Sequence, residues 1–361
     1  FLISSLLITS TKTLGSSISS ITIGCLFFQP ILLYLWGNLS VSPFNMPSKG
    51  FRLSPTGETA ALLAIANDGE GLQRNNTVFV SAPLPLNTVE GRLTLTSGTA
   101  ITTSNVTAAT TVYFTPYKGN RIYLFDGTRW RLYSFSEISV AVPATTTTPF
   151  DIFAFDSAGS VTLETTNWTS DTARATALVL QNGVQVRSGA TTRRYLGTGR
   201  TTGVSGQTED SLTSRYLWNY YNRVSRKLKV TEDTASWTST NTVFHSWNSS
   251  TANRVNMVIG SSEDLVYLYF GGSFDATVNT TPALGVGVDS TSVNSVDITN
   301  RADAPSGESN GVISVYEGYP GIGGHFLQLI ERAGAAGTTT FSGDNGDLTI
   351  WPTGGVGMVL G

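Results

Sequence analysis

The chain has 361 residues, with 22 Lys+Arg against 25 Asp+Glu, a formal net charge of −3 and only 13% charged residues. Globular proteins carry about 25%. The absence of basic clusters excludes a nucleic-acid partner, because phosphates need Lys or Arg to neutralise them. One Cys excludes a disulfide framework, and two His leave little room for imidazole catalysis or a zinc centre.

The first 45 residues differ from the rest. Residues 1–45 hold Lys12 as their only charge, and residues 21–36 form an apolar run interrupted by Gln29-Pro30. Sixteen residues make about 24 Å of helix, short of the ~30 Å hydrocarbon core, and Pro30 removes a backbone donor. The first Met is Met46. Residues 1–45 are therefore expected to be upstream read-through, or else an apolar anchor. Cys25 lies within them, which leaves the body without cysteine.

After Met46 the reading is strand upon strand. Residues 58–66 (ETAALLAIA) form the one Ala/Leu-rich helical candidate of this region, closed by Asn67-Asp68-Gly69. Residues 91–96 (GRLTLT) alternate with period two. A hairpin series follows: TVYF, a turn at 118–120 (KGN), RIYLF, a turn at Asp126-Gly127, then WRLYSF. Asp-Gly between such runs suits type I′ turns, which need positive φ at both central positions. Residues 143–149 (PATTTTP) have linker composition. A second β unit contains DIFAF, a turn at 157–160, VTLE, and ALVLQ–Asn182-Gly183–VQVR; residues 191–196 add an edge strand. Residues 197–207 (GTGRTTGVSGQ) are Gly-rich and expected to be flexible. Residues 214–226 are either a short helix or a strand and turn. Short strands after that, ending at 349–351, suggest a β-sandwich. The expected modules are 46–145, 150–205 and 211–361, and the fold class is all-β.

Candidate sites are few. The glycine cluster 318–325 (GYPGIGGH) precedes a strand, whereas a phosphate loop opens a helix, so it reads as a connection between strands. Residues 343–347 (GDNGD) offer oxygen ligands, but the further acids of a calcium loop are missing; a tight turn is expected. The pairs Glu209-Asp210, Glu232-Asp233 and Glu263-Asp264 read as solvated turn acids, because neighbours on a strand point to opposite faces. His245 and His325 read as surface or interface residues. Exposed aromatic rings can stack on sugars, and Trp237, Trp247 and Tyr319 are the candidate ligand-contacting residues. No catalytic, cofactor-binding or metal-binding residue is assigned, and no cofactor is expected.

Residues 115–142 (TPYKGNRIYLFDGTRWRLYSFSEISVAV) and 181–199 (QNGVQVRSGATTRRYLGTG) resemble segments of bacteriophage tail-fibre and related virion structural proteins. Residues 214–230 (SRYLWNYYNRVSRKLKV) are similar to the start of the C-terminal head of such proteins. The resemblance implies small β modules and a jelly-roll-like head that trimerises, in a virion protein that contacts other virion proteins and a host cell-surface glycan. A non-enzymatic tail-fibre or spike component is the expectation. The alternatives are a glycan-degrading depolymerase and a membrane-anchored bacterial surface adhesin.

Overall fold

The computed structural model describes residues 86–361 apart from 296–298, 348 and 351, together with the backbone of six short strands nearer the start. Those six pair as three hairpins: Ile8–Ser10 with Ile21–Ile23, Arg52–Leu53 with Ala60–Ala61, and Gly71–Asn75 with Val78–Ala82. Of the helix expected over 58–66, the two described residues, Ala60–Ala61, are extended. Lys12, Cys25, Pro30 and Met46 lie outside the described residues.

Leu86–Gly361 is one compact unit. It is all-β: among the described residues the one helical element is a single 3-10 turn at Trp247–Ser249. No helix among the described residues is long and apolar enough to cross a membrane.

The C-terminal half is a two-sheet sandwich of eight principal strands: β1 (Ser225–Thr231), β2 (Arg254–Ile259), β3 (Val266–Ala276), β4 (Ala283–Val288), β5 (Asn300–Arg301), β6 (Asn310–Gly318), β7 (Gly323–Arg332) and β8 (Gly354–Leu360). One sheet runs β1-β8-β3-β6 and the other β5-β4-β7-β2, each with antiparallel pairing. This is the strand order of a jelly roll, two interleaved Greek keys. Period-two alternation places Leu228 and Val230, Val266, Leu268 and Phe270, and Leu327 and Leu329 inward, where they form one core with Trp247, Met257, Leu284 and Phe341. The far end of β3 changes partner, from β8 to Thr339–Ser342, which also pairs with Ser236–Ser239.

The N-terminal half packs smaller sheets. One runs in the order Ser160–Asn167, Pro149–Ser157, Ala190–Arg200, Val184–Arg187, Leu178–Gln181, with Leu217–Asn219 also on Ala190–Arg200. Another joins Ile138–Ala141, Thr111–Pro116 and Gly91–Thr94. Arg121–Phe125 and Trp130–Ser134 form a hairpin. Val142 and Phe150, on either side of 143–149, share one core with Leu93, Phe114 and Leu217. Thr208–Asp210 pairs with Val106–Ala109, and Ser214–Arg215 runs parallel to β2.

Several local expectations change. Residues 118–120 close no hairpin, because Thr111–Pro116 and Arg121–Phe125 join different sheets. The segment expected at an edge, 191–196, lies inside the central strand Ala190–Arg200. Its glycines mark close packing, since a Cβ at Gly197 would meet the Trp218 carbonyl and one at Gly199 the Phe150 ring. Residues 214–226 take the strand-and-turn alternative. The last strand falls at Gly354–Leu360, and Thr349–Ile350 is a turn.

Candidate functional site

Where the six-stranded sheet meets the jelly roll, a cleft of about 360 Å³ opens between Arg174, Ala177, Leu178, Gln185, Tyr195, Tyr220, Gly260, Ser261 and Ile322. Its floor is a polar network on Pro149–Ser157 and Ala190–Arg200. Asp151 alternates in phase with Phe153, so the strand that buries Phe153 also buries a carboxylate. Arg174 Nε donates to Asp151 Oδ2 at 2.8 Å, and the Thr198 hydroxyl donates to Oδ1 at 2.7 Å. Burial pushes the Asp151 carboxyl up, against the opposing pull of the Arg174 guanidinium. Burial also raises the Tyr195 phenol, with Asp151 adding to the effect. Arg174 Nη2 donates to the Gly260 carbonyl at 2.7 Å, and its guanidinium stacks 4.5 Å from the Trp168 ring. Gly260 permits this closeness, because a Cβ there would collide with the Tyr195 hydroxyl and the Trp218 ring.

One wall is aromatic. Tyr220 is half-buried and its ring lies 5.4 Å from Tyr195 and 4.9 Å from Tyr221. Beside it Arg223 is paired with Glu263 and Asp264. The opposite rim comes from the short connection 319–322, which carries Ile322 into the cleft and leaves Tyr319 59% exposed. Gln185 and Ser261 supply an amide and a hydroxyl. The ionisable groups are thus engaged with one another, and rings, the Gln185 amide and the Ser261 hydroxyl, which donates to Glu263 at 2.9 Å, complete the lining.

The predicted aromatics separate. Trp247 is 1% exposed and fills the jelly-roll core, its ring 4.8 Å from Phe270 and 5.3 Å from Trp237. Trp237 is half-buried, and its Nε1 donates to both Glu331 oxygens at 2.9 and 3.0 Å. Tyr319 is the freely exposed one of the three.

Glu331 carried no flag in the sequence, yet it is fully buried on β7. Burial pushes its carboxyl up from 4.5 to about 8. His245 Nε2 lies 3.2 Å from Glu331 Oε1, and His245 Nδ1 lies 3.1 Å from the Val243 carbonyl. A carbonyl only accepts, so the tautomer that fits this geometry carries its proton on Nδ1 and turns Nε2 towards Glu331. The available signal was phase: Leu327, Leu329 and Glu331 alternate on one strand face.

The acids and histidines expected at the surface are partly internal. Asp210 is buried and accepts from Arg215 at 2.7 Å and Arg226 at 2.5 Å. Glu232 is buried; burial works to raise its carboxyl, but hydrogen bonds from Asn253 and Thr234 outweigh it and hold the group below the usual range. His325 is buried with Nδ1 2.8 Å from Asp289. Residues 343–347 form the expected turn, with Asn345 and Gly346 at positive φ. Among the described residues no group of three or more His, Cys, Asp or Glu could hold a metal ion.

Fold and cleft together define an all-β protein with a jelly-roll sandwich and a ring-lined cleft at its junction with smaller sheets. No family model matches the chain, and no curated protein matches it. Among solved structures it is similar to the insecticidal delta-endotoxin Cry8Ea1 of Bacillus thuringiensis, at 8% identity and a TM-score of 0.23, over 73% of this chain and 51% of the toxin. It thus spans about half the toxin's length. It is also similar to the infectious bursal disease virus Gt strain structure (10% identity, TM-score 0.24, 77% of this chain and 79% of that one) and to that of the Gx strain (11%, 0.18, 71% and 73%). Likenesses of this size carry neither fold nor function across.

Proposed function

We propose that the chain is a non-enzymatic virion structural protein, a tail-fibre or spike component that attaches to a saccharide on the host surface. The observation that carries this reading is the cleft. Its charged groups are neutralised internally, by Asp151 with Arg174 and by Arg223 with Glu263 and Asp264, and its lining adds Tyr220, Gln185 and Ser261, whose hydroxyl donates to Glu263 at 2.9 Å and keeps its lone pairs to accept. Tyrosine faces take up the apolar side of a sugar ring, and amide and hydroxyl groups take up its hydroxyls. With acids and bases held in mutual pairs, the cleft is suited to holding a neutral saccharide rather than to proton transfer. The jelly-roll order adds an analogy at the level of fold, since viral capsid and lectin domains share it.

The test is binding of the full chain to an array of neutral and acidic oligosaccharides, with reducing ends assayed in the same wells. Saccharide capture without release of reducing ends is expected, and Tyr220→Ala should weaken it at least tenfold while the circular dichroism spectrum is unchanged. Release of reducing ends would replace this reading with a depolymerase. Capture indifferent to Tyr220→Ala would remove the cleft from it.

A further inference from the structure

The outer face of the β1-β8-β3-β6 sheet is apolar along its middle and oppositely charged at its two edges. On β3 the outward residues are Tyr267 and Tyr269, with rings 5.6 Å apart; on β8 they are Val356 and Met358; on β6 they are Ile313, Val315 and Glu317; on β1 they are Lys227 and Lys229. Tyr269, Val356 and Ile313 are 45, 44 and 55% exposed. The register aligns them in rows across the sheet. Lys227 pairs with Met358, Met358 with Tyr267, and Tyr267 with Glu317; the next row runs Lys229, Val356, Tyr269, Val315. Among the described residues neither Lys227 nor Glu317 has an ion-pair partner in its own chain.

We propose that this face pairs with the same face of a second copy, about a two-fold axis parallel to the strands. Such an axis lays each row on its own counterpart with the strand order reversed. Lys227 then meets Glu317 of the second copy, Met358 meets Tyr267, and Val356 meets Tyr269. Sheets packed face to face sit about 10 Å apart at about 30°, within reach of long edge side chains. In the first row both edge pairs are opposite in sign, in the second Lys229 lies over Val315, and each large ring meets a smaller or flexible side chain. Three rows on four strands cover about 20 by 20 Å, roughly half the ~800 Å² per partner of a standard interface, so pairing is expected in the micromolar range.

The inference rests on the sheet face and not on the cleft, so saccharide binding can fail while pairing holds. Sedimentation equilibrium of the full chain from 1 to 200 µM should give a monomer–dimer equilibrium. Glu317→Lys should weaken it at least tenfold, and Lys227→Glu added to Glu317→Lys should restore it, which a merely damaged fold could not do. Carbodiimide coupling of mixed light and heavy protein should join Lys227 of one copy to Glu317 of another. A monomer throughout, a trimer, or a dimer blind to Glu317→Lys would each overturn the proposal.

Discussion

The sandwich and the smaller sheets before it are held closed by different means. Between the two jelly-roll sheets the contents are chiefly apolar: Phe270, Phe274, Trp247, Leu268, Leu329 and Phe341 belong to one continuous core, with Ser314, Gln328 and Glu331 the polar side chains buried beside it. The earlier sheets share an apolar core of their own around Val112, Phe114, Phe150 and Leu196, and their seams are crossed in addition by guanidinium and amide groups that end on backbone carbonyls. Arg194, fully buried, donates to the carbonyls of Leu86 and Tyr123 and to the Tyr221 hydroxyl. Arg215 donates to Lys227, Arg174 to Gly260, and the Asn222 amide to Val89 and Gly91. A fixed fork of donors can join strand ends that no ladder joins. Low overall charge is therefore not idle charge: a substantial part of it sits inside, as cross-links.

Breaking each kind of closure should look different. Trp247→Ala removes a ring from the sandwich core and should cost about 3–5 kcal/mol in urea unfolding. Arg194→Met keeps apolar volume but takes the donors from two seam carbonyls, and should cost about 2–3 kcal/mol; hydrogen exchange should rise first in Arg121–Phe125 and Ala190–Arg200, with β7 unchanged. Glu331→Gln tests the one raised carboxyl within the sandwich. Its folded value, about 8, exceeds the usual 4.5, so the folded state binds the proton more tightly than the unfolded chain. Its contribution to stability is full below pH 4.5 and is lost as pH rises towards 8. The variant should show a flatter profile over that window and gain up to about 5 kcal/mol over the parent at pH 8.5, with no gain at pH 4.

What could be read from the sequence was local. The Asn182-Gly183 turn has both residues at positive φ and closes its hairpin as expected. Asp126-Gly127 lies between paired strands, but in a four-residue connection with Gly127 alone of the two at positive φ, so it is not the type I′ turn expected. Ser157–Ser160 holds its turn at Ala158-Gly159. Sheet membership was not legible, because it depends on partners far along the chain: Thr111–Pro116 ignores its neighbour and pairs with Gly91–Thr94 and Ile138–Ala141. Glycine misled twice. In Ala190–Arg200 and in β8 it reads as a breaker, but it stands where a neighbouring backbone or ring leaves no room for a Cβ, as at Gly357 beneath Tyr267 and Leu268. Of the candidate site, the aromatic character was legible; the assembly of Arg174, Tyr195, Tyr220 and Gly260 was not, since four separate stretches of chain supply them.

The bond from Arg92 to the Gly361 carbonyl, at 2.6 Å, spans 269 positions. At a synthesis rate of about 5–20 residues per second, roughly 15–50 s separate the two ends of that contact on the ribosome. Arg92 is buried, with Nε and Nη1 unsatisfied, and burial together with nearby Arg226 lowers its guanidinium to about 10. Arg92 therefore meets this carbonyl only once β8 has docked, so one bond of the first sheet waits on a strand laid down 269 positions later.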